Sequence, residues 1–207
     1  MFGRALTFSR QAMQQTTALT AGKEDYPPGD FVIWIVIYAE LVAFGIFFLS
    51  YAFARSQNVE LFNASQLQLN RTAGAINTLV LITSSYFVVR SIAAIRENLQ
   101  KQAARWMSAA IGLGSIFIII KLFEFYAKYD EGITLSSNTF YMFYLSMTFF
   151  HFMHVILGLV ILTIMAVKIR NGDYTAQKHT GMETGASYWH MVDLVWIILF
   201  PLVYVIR

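Results

Sequence analysis

The chain of 207 residues contains no cysteine, and only 13% of its residues are charged. Without cysteine it has no disulfides, no thiolate metal ligands and no thiol nucleophile, and it cannot form the dinuclear copper site that accepts electrons through thiolate ligands. A soluble globular domain carries about 25% charged residues, so this composition is not that of an ordinary soluble domain. The sequence also has no complete glycine-rich phosphate loop.

Five apolar segments, each near or above the ~20 residues that span a bilayer, predict an all-α integral membrane bundle of five transmembrane helices. Their predicted bounds are Phe31–Ala54, Asn77–Ile95, Ala103–Tyr126, Thr139–Ile169 and Tyr188–Ile206. The fourth exceeds a bare span and should tilt or project from the membrane. Residues 1–29 form a predicted polar N-terminal tail without the apolar core of a signal peptide, and residues 30–207 form the membrane domain. At their junction, Asp30 is placed to cap the first helix.

Basic residues predict the orientation, since they are enriched in cytoplasmic loops. Nine lie on the side of the N-terminus and four on the other. The nine are Arg4, Arg10, Lys23, Arg96, Lys101, Arg105, Lys168, Arg170 and Lys178, and the four are Arg55, Arg71, Lys128 and Arg207. This distribution predicts a cytoplasmic N-terminus and a periplasmic C-terminus.

Glu40 lies in the apolar stretch "VIYAELVAFGIFF". A lone carboxylate there costs a few kcal/mol on insertion scales, so it must be neutral, paired or functional. One interpretation is a proton or lipid-contact site. The other is a neutral carboxyl group hydrogen-bonded to a neighbouring helix, and the residue pattern does not choose between them.

His151 and His154 share one helix face, and Gly158 follows one turn later. Glycine at that position would let another helix approach closely. The H-x-x-H spacing is a weak metal signal, because a structural zinc site needs four ligands and a catalytic one needs three plus water. The pattern therefore favours packing and hydrogen bonding for both histidines.

His190 and Asp193 are three residues apart in the last segment, where they resemble a ligand histidine with its supporting carboxylate. With a segment starting at Tyr188, His190 would lie near the membrane surface. His154 would lie about 15 Å deeper, at 1.5 Å per residue. This difference argues against one haem ligated by both histidines. Glu40 is expected much closer in depth to His154, so these two side chains are predicted to line one interior seam.

Lys121 and Glu124 are spaced i,i+3, and Lys128 follows Glu124 at i+4. This spacing predicts a self-paired charged group near the outer end of the third segment, with Lys121 and Glu124 as a structural ion pair. Pro201, in the last segment, should loosen or kink that helix.

Several motifs, taken in order, resemble the subunit III family of haem–copper oxidases. "AELVAFGIFFLSYAFAR" is similar to the family's glutamate-bearing helix, which places Glu40 on its carbodiimide-reactive carboxylate. "INTLVLITSS", "KLFEFYAKY" and "TFYMFYLSMTFFHFMHVILGLV" follow, and the last carries the H-x-x-H-V-x-x-G pattern. "METGASYWHMVDLVW" resembles the family ending, with Glu183, His190 and Asp193 at its polar positions.

The mitochondrial-type subunit has seven helices, whereas only the last five are recognisable here. Among five-helix versions, the segments most resemble the NorE-type subunit that accompanies nitric oxide reductase. The resemblance implies a non-catalytic accessory subunit without haem, copper or another metal, in the bacterial inner membrane. Its implied partners are membrane lipid and the catalytic subunits of a terminal oxidase or nitric oxide reductase, and no nucleic acid is expected.

In this family the intramembrane polar residues join helices, bind phospholipid in a cleft and assist proton uptake by the catalytic subunit. The resemblance carries these expectations to Glu40, His151, His154, Glu183, His190 and Asp193. The alternative is a small proton-conducting or transporter-like protein acting alone, with Glu40 and His154 as a relay. Against it, the sequence has no repeated halves of the kind many transporters contain. A third interpretation, a di-haem cytochrome b-like subunit, is disfavoured by the depth difference and by the presence of only four histidines.

Overall fold

The computed structural model describes residues 30–206, and the predicted tail at residues 1–29 lies outside them. The described residues form helices and connecting loops only. The helices are α1 (Phe31–Gln57), α2 (Val59–Leu67), α3 (Arg71–Arg96), α4 (Gln100–Asp130), α5 (Thr139–Asn171) and α6 (Thr180–Phe200), and α6 continues as a π-helical turn, Pro201–Val205. All but α2 are long and apolar enough to cross a membrane, so the five predicted spans are confirmed within this range.

Short polar side chains cap the starts of α1, α3 and α5. The Asp30 carboxylate accepts a hydrogen bond from the Val32 amide, which confirms the predicted cap. Asn70 and Asn138 cap α3 and α5 in the same way. At the far end of α5, Gly172 adopts a left-handed conformation with φ of +80°, which glycine reaches without a steric cost.

The helices α3, α4, α5 and α6 form a ring in which each packs against the next, and α6 closes it against α3. Helix α1 lies outside this ring, against α5 and α6, and much of its surface is exposed. Because α5 has 33 residues, it is about 50 Å long, well beyond the ~30 Å hydrocarbon core.

The last helix differs from its prediction at both ends. It begins at Thr180, eight residues before the predicted Tyr188, because "TGMETGAS" is helical although it is too polar for a hydropathy signal. At Pro201 the helix widens, and the Ile206 amide donates to the Pro201 carbonyl five residues earlier. Proline lacks an amide hydrogen for the regular i to i−4 bond, so the predicted loosening is confirmed.

Candidate functional site

The Glu40 carboxylate of α1 and the His154 imidazole of α5 meet inside the membrane region. Glu40 Oε2 lies 3.0 Å from His154 Nε2, and the side chains are 29% and 11% exposed. The other ring nitrogen, Nδ1, lies 2.8 Å from the Phe150 carbonyl one turn earlier. The Phe44 ring of α1 makes a T-shaped contact with the imidazole, with 5.5 Å between ring centroids. The predicted seam between Glu40 and His154 is therefore present, and it joins the outer helix to the ring.

His151 has a different environment from His154, although the two are only one turn apart. It is completely buried, stacks on the Trp196 indole at 5.1 Å between ring centroids, and meets the edge of Phe117 at 5.8 Å. Neither of its nitrogens has a hydrogen-bond partner within residues 30–206. The expected packing role is present, whereas the expected hydrogen bond is not.

A buried ionic network lies next to Trp196. Lys121 Nζ is 3.0 Å from Glu124 Oε2, as predicted, and both side chains are almost wholly buried. Two tyrosines complete the network. The Tyr144 hydroxyl donates to Glu124 Oε1 at 2.7 Å, Tyr204 donates to the same oxygen at 2.5 Å, and Lys121 also donates to Tyr204 at 2.7 Å. The Lys121 ammonium lies 4.9 Å from the Trp196 ring centroid, within cation–π range.

Lys128 does not join this network, so that part of the prediction is wrong. Its ammonium lies 2.6 Å from Glu131 and 3.1 Å from the Gln68 carbonyl. The i+4 spacing allowed a contact with Glu124, but the Glu124 oxygens are already occupied by Lys121 and two tyrosines. Lys128 instead ties the end of α4 to the loop before α3.

Glu183 lies near the opposite end of the bundle. Its Oε1 is 2.7 Å from Arg96 Nη2 on α3 and 3.3 Å from His179 Nε2. In the loop between α5 and α6, the Tyr174 carbonyl accepts a hydrogen bond from Gln100 at 2.5 Å. Burial, assisted by Asp173, raises the pKa of the Tyr174 phenol, so it stays protonated at neutral pH. These contacts join α3, α4 and α6.

His190 and Asp193 approach each other, but the 3.6 Å between Nδ1 and Oδ2 exceeds a good hydrogen bond. The predicted 15 Å depth difference between His190 and His154 is wrong, because it depended on a helix that started at Tyr188. Trp189 lies beside Gly158 and Trp196 beside His151, so His190 is about one turn, or about 5 Å, from the level of His154.

The two histidines are separated by direction and not by depth. His154 faces α1, whereas His190 lines a groove between α3 and α6. Among residues 30–206, no group of three or more histidine, aspartate or glutamate side chains is arranged to hold a metal ion. The Glu40–His154 and Tyr144–Glu124 contacts join neighbouring helices.

Trp189 belongs to the motif "METGASYWHMVDLVW", but the motif gives no sign of its packing role. Trp189 is completely buried, and its ring lies against Gly114 of α4 and Gly158 of α5. The prediction that Gly158 admits a close neighbour is confirmed, but the neighbour is an indole from α6. Tyr144 and Tyr204 were also missed, since a tyrosine in an apolar helix carries no local signal of its partner.

An apolar pocket of about 690 Å³ lies near the end of α4 where the buried ionic network is. Phenylalanines from α1, α4 and α5 line it, with Lys128 and Tyr129 at its polar side; the phenylalanines are Phe47, Phe125, Phe149 and Phe150. Its lining suits a hydrocarbon chain.

The chain is similar in sequence to a known protein family. The family model for cytochrome c oxidase subunit III matches residues 30–206. Cytochrome c oxidase subunit 3 of Thermostichus vulcanus is 31% identical over 195 residues, which cover 93% of this chain and 95% of the relative. The protein of that name from Synechocystis sp. is also 31% identical, over 206 residues that cover 93% and 87%. That of Spodoptera frugiperda is 33% identical over 144 residues, covering 69% and 91%.

Proposed function

The chain belongs to the cytochrome c oxidase subunit III family, and we propose that it is a non-catalytic accessory subunit of a haem–copper respiratory complex in the bacterial cell membrane. This role is supported by the contacts of the membrane-embedded polar groups, which join helices to one another. Glu40 and His154 join α1 to α5, and the network around Lys121 joins α4 to α5 and the C-terminal turn. Such groups hold a bundle together.

Two measurements test this proposal. The chain should co-purify in mild detergent with catalytic subunits that contain haem. Purified alone, it should show no Soret band, since the proposal assigns haem and copper to the partner. A stoichiometric Soret band from the isolated chain, or consistent purification without any haem protein, would overturn the proposal.

The partner's substrate is either nitric oxide or oxygen, and a different observation supports each. The resemblance of three segments to NorE-type subunits supports a nitric oxide reductase, whereas the names of the near-full-length relatives support a cytochrome c oxidase. We propose that the partner is one of these two haem–copper enzymes. Membranes with and without this chain should differ in nitric oxide consumption if the partner is a nitric oxide reductase, and in oxygen consumption if it is a terminal oxidase.

We also propose an orientation of the chain in the membrane and a site where it binds lipid. The distribution of basic residues supports a cytoplasmic N-terminus and a periplasmic C-terminus. The apolar pocket lined by Phe47, Phe125, Phe149 and Phe150 supports binding of a phospholipid acyl chain. Reporter fusions to the N-terminus and to the C-terminus test the orientation, and lipid extraction from the purified chain tests the binding.

Proton conduction by the chain alone is the second candidate, and the Glu40–His154 contact favours it. Against conduction, the next polar group, His151, has no hydrogen-bond partner among the described residues. Liposomes that contain only this chain should therefore show no proton flux above empty liposomes. A flux abolished by Glu40→Gln would favour the conducting function.

A further inference from the structure

A groove of about 400 Å³ runs between α3 and α6 on the outside of the bundle. Its floor is apolar, and charged residues stand at one end. Val89, Ile92, Ala93 and Ala186 form the floor, while Arg96, Glu97, Glu183, Ser187 and His190 supply the polar part. Small residues on both walls, such as Ala93 and Ala186, allow another helix to approach closely.

His190 is the unusual member of this groove. Its side chain is 39% exposed, and its only polar contact within residues 30–206 is the 3.6 Å approach to Asp193. It lies seven residues beyond Glu183 along α6, so it is about 10 Å farther into the span than the Arg96–Glu183 ion pair. A polar group that faces hydrocarbon without a hydrogen bond is costly.

A lipid in the groove would not supply a hydrogen bond to His190. A lipid bound here would place its head group at the charged end of the groove, and its acyl chain would offer no hydrogen bond at the depth of His190. The imidazole is also too short to reach the membrane surface as lysine and arginine do. A polar side chain from another transmembrane helix can reach the depth of His190 and form a hydrogen bond with the imidazole there.

A second groove, between α4 and α5, provides the contrast. It is lined by isoleucine, leucine and valine with Ser115 and Thr163. Both hydroxyls donate to carbonyls of their own helices, at 2.9 and 2.7 Å. This surface has no unmet hydrogen bond and suits lipid.

We propose that the α3–α6 groove receives a transmembrane helix of the catalytic subunit, with a hydrogen-bonding side chain opposite His190. The inference rests on the proposed function and assigns the docking face that it leaves open. The partner helix needs small residues where it crosses Ala93 and Ala186, and a hydroxyl, amide or carboxyl group facing the imidazole.

The absence of native cysteine makes a direct test simple. Val89→Cys lies in the proposed docking groove and Val160→Cys in the lipid-facing groove, and the native valines are 49% and 50% exposed. Each variant is labelled in membranes that contain the catalytic subunits, using benzophenone maleimide, and is then irradiated. Val89→Cys should give a cross-linked band with the catalytic subunit, and Val160→Cys should not.

Three outcomes count against the inference. They are a cross-link from Val160→Cys only, a Val89→Cys cross-link to a second copy of this chain, and a Val89→Cys adduct with lipid alone. In each case wild-type co-purification with the catalytic subunit would show that the proposed function survives. If wild-type chain and catalytic subunit do not co-purify, the proposed function itself fails.

Substitution of His190 gives an independent measurement. His190→Leu should weaken retention of the catalytic subunit about tenfold, as expected for one lost hydrogen bond between membrane helices. His190→Asn should restore most of it, because the amide can still form a hydrogen bond. Equal unfolding curves of the isolated variants would exclude misfolding, and unchanged retention in His190→Leu would overturn the role of His190.

Discussion

Trp189 fills the space between α4 and α5 only because Gly114 and Gly158 lack side chains there. A Cβ atom on Gly158 would lie 2.6 Å from Trp189 Cε3 and 2.8 Å from Cζ3. Carbon atoms pack best at about 3.5–4.0 Å, so Gly158→Ala forces the indole or the α5 backbone to move by about an ångström. The indole is completely buried and has little room to move.

The change in the free energy of unfolding in Gly158→Ala depends on two opposing effects. Alanine is favoured over glycine in a helix interior by about 1 kcal/mol, while overpacking a filled core costs about 1–3 kcal/mol. Gly112→Ala on α4 is the matched control, since a Cβ there would have nothing within 4 Å. Both variants carry the same gain in helix propensity, so the difference between them, about 1–3 kcal/mol in the free energy of unfolding, measures the clash.

The assay is unfolding of the purified chain in mixed micelles with increasing sodium dodecyl sulfate, followed by circular dichroism. Gly112→Ala should unfold at a higher detergent fraction than wild type, and Gly158→Ala at a lower one than Gly112→Ala. Adding Trp189→Phe to Gly158→Ala should give a less than additive loss, because the smaller ring relieves the contact. Equal stability of the two alanine variants would refute the packing argument.

Three further predictions concern charge and backbone. Lys121→Met should cost about 3–5 kcal/mol in the same assay, because it leaves the buried Glu124 carboxylate unpaired, and adding Glu124→Gln should recover part of that loss. Glu40→Gln should abolish carbodiimide labelling while co-purification and haem content stay near wild type, and partner turnover should slow without stopping; Glu40→Ala should reduce assembly because His154 loses its partner. Complete loss of partner activity in Glu40→Gln with intact assembly would place that carboxyl on an essential proton path. Gly172→Ala should destabilise by about 1 kcal/mol, since alanine is strained at a positive φ, and an unchanged or higher midpoint would contradict this.

The five spans could be predicted from the sequence alone because each is a property of a continuous segment. A helix in lipid satisfies its own backbone hydrogen bonds, so length and hydropathy suffice to locate it. The Lys121–Glu124 pair and the Asp30 cap were predictable for the same reason, since the partners lie within one turn. The family resemblance was also visible in the order of short motifs.

Hydropathy failed where a helix continues beyond its apolar part. The polar first turns of α6 carry no span signal, although Asp30 bonds to Thr184 and Arg96 to Glu183 within them. Placing the start of the span at Tyr188 shifted the inferred depth of His190, and with it the comparison with His154. The apolar segment is thus shorter at its start than the helix that contains it.

Only the tertiary structure decided what each polar side chain contacts. His151 and His154 look equivalent in sequence, yet one stacks on Trp196 and the other pairs with Glu40 across the α1–α5 interface. Tyr144 and Tyr204 join Glu124 from 20 and 80 residues away. A sequence specifies which segments leave water, because that depends on the summed hydrophobicity of each segment. Which side chains then meet depends on how the helices rotate and cross, and small residues such as Gly114 and Gly158, opposite a single tryptophan, set that packing.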